Sequence, residues 1–206
     1  MLTAHDLECV RGERRLFTAL NFDVQPGTLL AVRGVNGSGK TSLLRMMCGL
    51  LAPAAGQLRW NDHEIGHAGE EYRANLLYLG HLNGLKDELN AVENLRLSMH
   101  MAGINSDDAQ AIAALEWSGL RERRHQACGT LSQGQRRRVA LARLKLSRAR
   151  PLWILDEPFT ALDVASVDRT RDLIVEHLAD GGMVALTTHQ DVPITAPLTV
   201  PLELGA

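Results

Sequence analysis

Residues Gly34, Val35, Asn36, Gly37, Ser38, Gly39, Lys40 and Thr41 fill every fixed position of the phosphate-loop pattern G-x-x-x-x-G-K-[ST]. The motif works only between a strand and a helix, so it dictates the local fold as well as the chemistry. An apolar run from Leu29 to Val32 comes just before it, and a helical pattern with Leu43, Leu44, Met46 and Met47 follows. Glycines at 34, 37 and 39 let backbone N–H groups turn inward around an anion. The helix N-terminus adds its dipole, Lys40 can reach the outer phosphates of a triphosphate, and the Thr41 hydroxyl is placed to ligate Mg²⁺.

The rest of the composition sets limits on what surrounds this loop. With 206 residues, 45% of them hydrophobic, the chain can bury a real core as one compact unit. A formal charge of -2 gives no global attraction to nucleic acid or anionic lipid. No run approaches the ~18 apolar residues of a membrane span, and Met1 to Arg15 is polar and mixed in charge, so a cytoplasmic protein is expected. Cys9, Cys48 and Cys128 are far apart and lack metal or haem-attachment spacing, which reads as three reduced thiols.

Leu2 to Phe22 mixes strand-like runs with a turn near Gly12 and predicts an antiparallel β layer, joined by a hairpin at Gly56 to Trp60 and Asn61-Asp62. A strand is expected at Leu76 to Leu79. Helices are expected at Ala91 to His100, at Asp107 to Trp117, and from a Ser132 N-cap to about Arg148. Strand 152–155, helix 164–178 and strand 183–188 then alternate, which argues for parallel strands buried on both faces. The proline-bearing tail from Pro193 has the pattern of an edge strand at most.

Leu152-Trp-Ile-Leu-Asp156-Glu157-Pro158 places two acids at the end of a buried apolar strand, where carboxylates are costly unless they serve an ion or a reaction. Asp156 is positioned to hold Mg²⁺ and Glu157 to act as the general base on water. A helix N-cap could explain one acid but not both. Leu131-Ser132-Gln133-Gly134-Gln135 opens a basic helix, Arg136 to Arg143. Read alone, it is a capped helix with a solvated cationic face.

Read with the other motifs, this segment resembles the signature of ATP-binding cassette ATPases. The motif order matches that family: phosphate loop, signature, acidic strand, Thr160-Ala-Leu-Asp163, then His189. The resemblance implies an α/β fold of the P-loop NTPase class, with a mixed core sheet, an antiparallel β layer and an inserted helical lobe. It also implies one domain over residues 1–206, with a RecA-like core at 1–80 and 150–206 and the lobe at about 81–149. ATP and Mg²⁺ would be the ligands, with Thr41 and Asp156 on the metal. Ser132, Gln133, Gly134 and Gln135 of one copy would cover the γ-phosphate of another in an ATP-bound homodimer. Asp163 would lie at that interface, and His189 would contact the γ-phosphate as a second catalytic group beside Glu157.

Two departures from the family pattern bear on the site. Where the family usually has a glutamine, spacing places Leu82, so that either His81 or Asn83 takes over its role or nothing does. Where an aromatic usually stacks on adenine, Arg11 stands. Finer phrases, among them Leu-Trp-Ile-Leu-Asp-Glu-Pro-Phe-Thr-Ala-Leu-Asp and Leu-Thr-Thr-His-Gln190, resemble the ATP-binding subunits of cytochrome c biogenesis, or haem-export, systems. That resemblance implies a peripheral subunit at the cytoplasmic side of a bacterial inner membrane, docked on integral membrane subunits through a groove around Leu82 to Leu97. Hydrolysis would drive haem export or release of a haem-loaded chaperone, with no haem ligation by this chain and no nucleic-acid partner. The alternatives are an ATP-gated assembly clamp, or an importer or exporter ATPase with another cargo.

Overall fold

The computed structural model describes residues 1–205, the side chains of residues 67 and 68 excepted. Strands β1 (Leu2–Arg11) and β2 (Arg14–Val24) form an antiparallel hairpin. In β1 the buried residues are Leu2 and Ala4, then Leu7 and Cys9, so the two-residue period slips once in the middle. The slip is a bulge at Asp6 (φ 47°), whose backbone N–H donates to Asn21 Oδ1 at 2.9 Å and whose carboxylate accepts from Asn21 Nδ2 at 3.1 Å. β4 (Ala55–Trp60) pairs with the other edge of β1. A two-residue turn at Asn61 and Asp62, both with positive φ, returns the chain into β5 (His63–Glu64).

The second sheet holds β3 (Thr28–Gly34), β6 (Leu76–Leu79), β7 (Leu152–Asp156), β8 (Met183–Thr187) and β9 (Leu198–Leu204), in the order β6-β7-β8-β3-β9. The expected mixed sheet resolves into two: every pairing in this one is parallel, and the antiparallel pairing is confined to the four-stranded layer. The tail strand β9 does lie at an edge, where Pro201 lacks only an N–H that no neighbour needs.

Alternation within the parallel strands sorts the core into two clusters. Leu152, Ile154, Leu30, Val32 and Ala185 face α1 (Lys40–Met47) and the antiparallel layer. Trp153, Leu155, Leu29, Val184 and Leu186 face the opposite side, where α5 (Gln133–Leu146) and α6 (Val164–Ala179) pack. Between β5 and β6 runs α2 (Ile65–Ala74), a helix that the sequence pattern does not announce.

The remaining helices, α3 (Ala91–Met101) and α4 (Asp108–Trp117), build a third cluster with α5 through Leu95, Met99, Leu115 and Val139. Three reciprocal capping boxes fix where these helices start: Asn90 with Glu93, Asp107 with Gln110, and Ser132 with Gln135. α5 belongs to both clusters, with Ala140, Leu141 and Leu144 against the sheet and Val139 and Ala142 against α3 and α4. It is therefore the element through which the helical layer touches the strand ends.

Candidate functional site

The C-terminal ends of β3, β7 and β8 converge on a cavity of about 520 Å³. On one side β3 runs into the phosphate loop. Gly34 has φ 145°, and a Cβ there would sit 2.4 Å from the Leu204 carbonyl oxygen, so β9 leaves no room for a side chain. Gly39 is the N-cap of α1 and offers no side-chain cap, and the first turn of α1 holds no acidic residue. The helix terminus therefore presents its N–H groups and its positive dipole end to an anion without internal competition.

Lys40 is 9% exposed and pairs with no carboxylate among the described residues; its Nζ donates instead to the Gly34 carbonyl at 2.7 Å and the Val35 carbonyl at 3.2 Å. The Ser38 hydroxyl is buried with no partner among the described residues. A cation resting on two neutral carbonyls and an unpaired buried hydroxyl leave the cradle incomplete on its own, as an anion-binding site is before its ligand arrives.

Opposite the loop stand the two acids. Asp156 is 2% exposed; its Oδ2 accepts from Thr41 Oγ1 at 2.9 Å and its Oδ1 from Thr187 Oγ1 at 2.8 Å. The paired hydroxyl and carboxylate oxygens are hard donors, and among the described residues no group of three His, Cys, Asp or Glu could form a protein-only cage. This donor set fits Mg²⁺, which takes one or two protein oxygens and completes its shell with waters and phosphates. Glu157 has φ 50°, a strained value for a residue with a side chain. Its N–H donates to Thr187 Oγ1 at 2.9 Å, and its Oε2 accepts from the His189 N–H at 3.2 Å. Its Oε1 is buried without a hydrogen-bond donor, with His189 Nε2 3.4 Å away. Glu157 borders the same cavity as the phosphate loop, which places its carboxylate to accept a proton from water there.

The residues at the two departures lie as follows. His81 borders the cavity together with His189, Leu82 points into solvent at 84% exposure, and Asn83 Oδ1 accepts from Arg137 at 3.2 Å. At the hairpin side the cavity is bordered by Leu16 of β2; Arg11, placed there by spacing, does not border it. The signature residues are not brought to this cavity within the chain. Ser132 Oγ is occupied by the Gln135 N–H at 3.3 Å, and Gln135 Oε1 accepts from the Ser132 N–H at 2.9 Å. Gln133 borders a small recess that shares His81, Glu157 and Thr160 with the cavity lining. Gly134 is pressed against the loop before α6, where an added Cβ would lie 2.6 Å from the Ala161 carbonyl. Asp163 caps α6 by accepting from the Ser166 N–H at 2.8 Å, and its bonds from Ser166 hold the carboxyl below the usual range.

The basic run is not the solvated cationic face that its charge implied. Arg136 pairs with Asp87 at 2.6 Å, Arg138 lies 3.8 Å from Asp163, and Arg137 is buried at 3% exposure. Burial pushes the Arg137 guanidinium down to about 10, against the pull of Asp156 and Glu157. Arg137 and Thr187, which bond the acid pair, are the positions that sequence reasoning passed over. A hydroxyl ending the apolar strand β8 was the available signal for Thr187. For Arg137 it was the four-residue phase shared with Leu141 and the three-residue phase shared with Ala140.

Fold and cradle together define a nucleotide-binding protein of the P-loop NTPase class. A family profile described as ABC transporter matches residues 17–160. The cytochrome c biogenesis ATP-binding export protein CcmA of Dechloromonas aromatica is 55% identical over 205 residues, covering 100% of both chains. Its counterpart in Nitrosomonas europaea is 55% identical over 192 residues, 93% of this chain and 90% of that one. The chain therefore belongs to the ABC transporter family, and within it to the cytochrome c biogenesis ATP-binding export proteins. Among solved structures, a dimeric ATP-binding cassette in a post-hydrolysis state, bound to ADP and Pi, superposes with a TM-score of 0.84. It is 22% identical, and the match covers 100% of this chain and 97% of that one, a likeness of fold. Among the described residues no helix is long and apolar enough to cross a membrane.

Proposed function

We propose that this chain is the ATP-hydrolysing subunit of a cytochrome c biogenesis export complex, working at the cytoplasmic face of the inner membrane. Its hydrolysis drives haem export, or release of a haem-loaded chaperone, by integral membrane subunits. The observation that carries the hydrolytic reading is that Glu157 and the Lys40 cradle border one cavity.

In this reading the triphosphate replaces the carbonyls of Gly34 and Val35 as the partner of Lys40, and the backbone from Val35 to Thr41 wraps its oxygens. Thr41 and Asp156 would hold Mg²⁺, which neutralises charge on the phosphates. Glu157 accepts a proton from the water whose oxygen attacks the γ-phosphorus, the bond to the β–γ bridging oxygen breaks, and ADP and phosphate leave. His189, beside Glu157, contacts the γ-phosphate and helps to place that water.

Ser132, Gln133, Gly134 and Gln135 act in trans, covering the γ-phosphate held by a second copy, with Asp163 at the interface between the two. None of the four is among the described residues that border the cavity of their own chain, which supports that arrangement. The whole chain acts as one ATPase domain, core and helical lobe together. Leu82 and Leu97, both exposed, mark the groove that takes the membrane subunits.

The test uses the purified chain and its Lys40→Ala and Glu157→Gln variants. Lys40→Ala weakens ATP binding, and unchanged affinity contradicts the role given to Lys40. In Glu157→Gln, ATP raises the dimer fraction in sedimentation and Ser132→Arg abolishes that rise. A monomer at every nucleotide concentration removes the composite site. Co-purification from membranes identifies the integral subunits.

A further inference from the structure

A cation buried on the apolar stripe of a helix is expensive unless each of its donors is satisfied. Arg137 shares its stripe of α5 with Ala140, Leu141 and Leu144, is 3% exposed, and bonds no carboxylate among the described residues. All five of its N–H donors are used. Nε reaches the Pro158 carbonyl at 3.4 Å. Nη2 reaches those of Asp156 and Glu157 at 2.9 and 2.7 Å, and Nη1 reaches the Gly80 carbonyl at 3.0 Å and Asn83 Oδ1 at 3.2 Å.

The acceptors lie at the last residue of β7 and in the two loops that leave the adjacent parallel strands β6 and β7. Pairing between β6 and β7 ends at Leu79 and Leu155, so the sheet itself no longer ties the chain at Gly80 to the chain at Glu157. Arg137 takes over at that point. Glu157 needs such a restraint, because φ 50° persists only where the surroundings over-determine it. Thr187 fixes its N–H and Arg137 fixes its carbonyl. The guanidinium does not border the phosphate cavity, so its effect on a reaction there passes through Glu157.

We propose that Arg137 is a positioning residue that holds Glu157 in its strained backbone conformation and ties the His81–Asn83 loop to it. The inference rests on the hydrolytic role of Glu157. Freed of Arg137, the Glu157 backbone relaxes toward negative φ and carries Oε1 away from the cavity. The same guanidinium makes the two loops move together: displacing residues 80–83 disturbs the cation that fixes Glu157.

ATP hydrolysis is measured on the full chain in the membrane complex that co-purifies with it, for Arg137→Gln, Arg137→Lys, Asn83→Ala and Glu157→Gln. Arg137→Gln lowers kcat by roughly 10- to 100-fold, the scale of a displaced reacting group, while KM for ATP stays within about threefold. Arg137→Lys, which keeps the charge and part of the hydrogen bonding, recovers part of that loss. Asn83→Ala, which cuts only the side-chain tie to the loop, lowers kcat by a few-fold with KM unchanged.

Wild-type kcat in Arg137→Gln overturns the inference, as does a rise in KM that accounts for the whole effect. If Arg137→Gln shows no cooperative unfolding, the lysine variant decides: a lowered kcat at unchanged KM supports the role, and wild-type kcat overturns it. Should wild type fail to hydrolyse ATP, or Glu157→Gln leave hydrolysis intact, the functional reading itself falls. Should both behave as expected while Arg137→Gln is indifferent, only the present inference falls.

Discussion

Thr187 contributes a single hydroxyl that serves both acids, so replacing it by valine, which keeps the shape and removes the polarity, isolates what that hydroxyl does. The side chain is fully buried, donates to Asp156 Oδ1 at 2.8 Å and accepts from the Glu157 N–H at 2.9 Å. In Thr187→Val the Glu157 N–H is orphaned, at a cost of about 1–3 kcal/mol, and a carboxylate loses a donor worth about 1.5–3 kcal/mol. The added methyl returns about 1 kcal/mol. The net is a loss of about 1.5–5 kcal/mol. For a chain of this length that corresponds to roughly 3–20 °C in melting temperature, at about 2–4 °C per kcal/mol. Thr187→Ser keeps the hydroxyl and gives up a methyl, so it loses only about 1 kcal/mol. Urea titration at neutral pH reads both variants. The order wild type, serine, valine is the expected result. Valine as stable as wild type, with serine the weaker of the two, would falsify the reasoning and assign the site to methyl packing. ATP hydrolysis adds a second readout, falling in the valine variant and surviving in the serine one.

His177 stacks on Trp153 with ring centroids 3.8 Å apart, and burial pushes its imidazole down from 6.5 to about 4. The unfolded chain protonates this group below about 6.5 while the folded chain does not, so stability falls as pH drops from 6.5 toward 4, by at most about 3 kcal/mol. His177→Phe keeps the stack and should flatten that slope in urea titrations; an unchanged slope would place the titration elsewhere. Gly134→Ala drives a Cβ to within 2.6 Å of the Ala161 carbonyl and should destabilise the nucleotide-free chain by about 1–3 kcal/mol. Wild-type thermal stability would show that the loop at Ala161 yields freely. Asn94 is 3% exposed, and its side chain bonds the backbone at Lys86, Leu89 and Asn90. Asn94→Leu should cost about 2–4 kcal/mol by orphaning those groups, and hydrogen exchange at the Lys86 amide should rise with it.

Most of the strands and helices were legible because they carry a local signal. The Leu76–Leu79 strand and the N-cap at Ser132 stand where the apolar run and the capping residue put them, and the helix expected from Asp107 starts one residue on, with Asp107 as its cap. The helix at Ile65–Ala74 was not legible, since its sequence mixes glycine, histidine and glutamate with few apolar positions. It is Tyr72, at 1% exposure, whose hydroxyl bonds the Met47 carbonyl, that pins it to α1. That bond joins residues far apart in the chain, and no window over the helix itself contains it.

The site divides along the same line. The phosphate loop and the acid pair are contiguous in sequence, and reading them required only charge and spacing. The residues that hold the acids in place come from other strands and helices. In the Arg136–Arg138 run, composition and periodicity predict opposite fates for Arg137. A charge run is normally solvated, but position 137 falls in phase with Ala140, Leu141 and Leu144 on the stripe that α5 buries. Periodicity prevails because the helix is fixed on both sides, by the sheet and by the α3–α4 layer, and cannot rotate one residue out without burying others. Its guanidinium then meets the free carbonyls that every parallel sheet leaves where its strands end. A cation on the apolar face of a helix packed over such strand ends is therefore a sequence signal in its own right, and it points to whatever reactive group those ends carry.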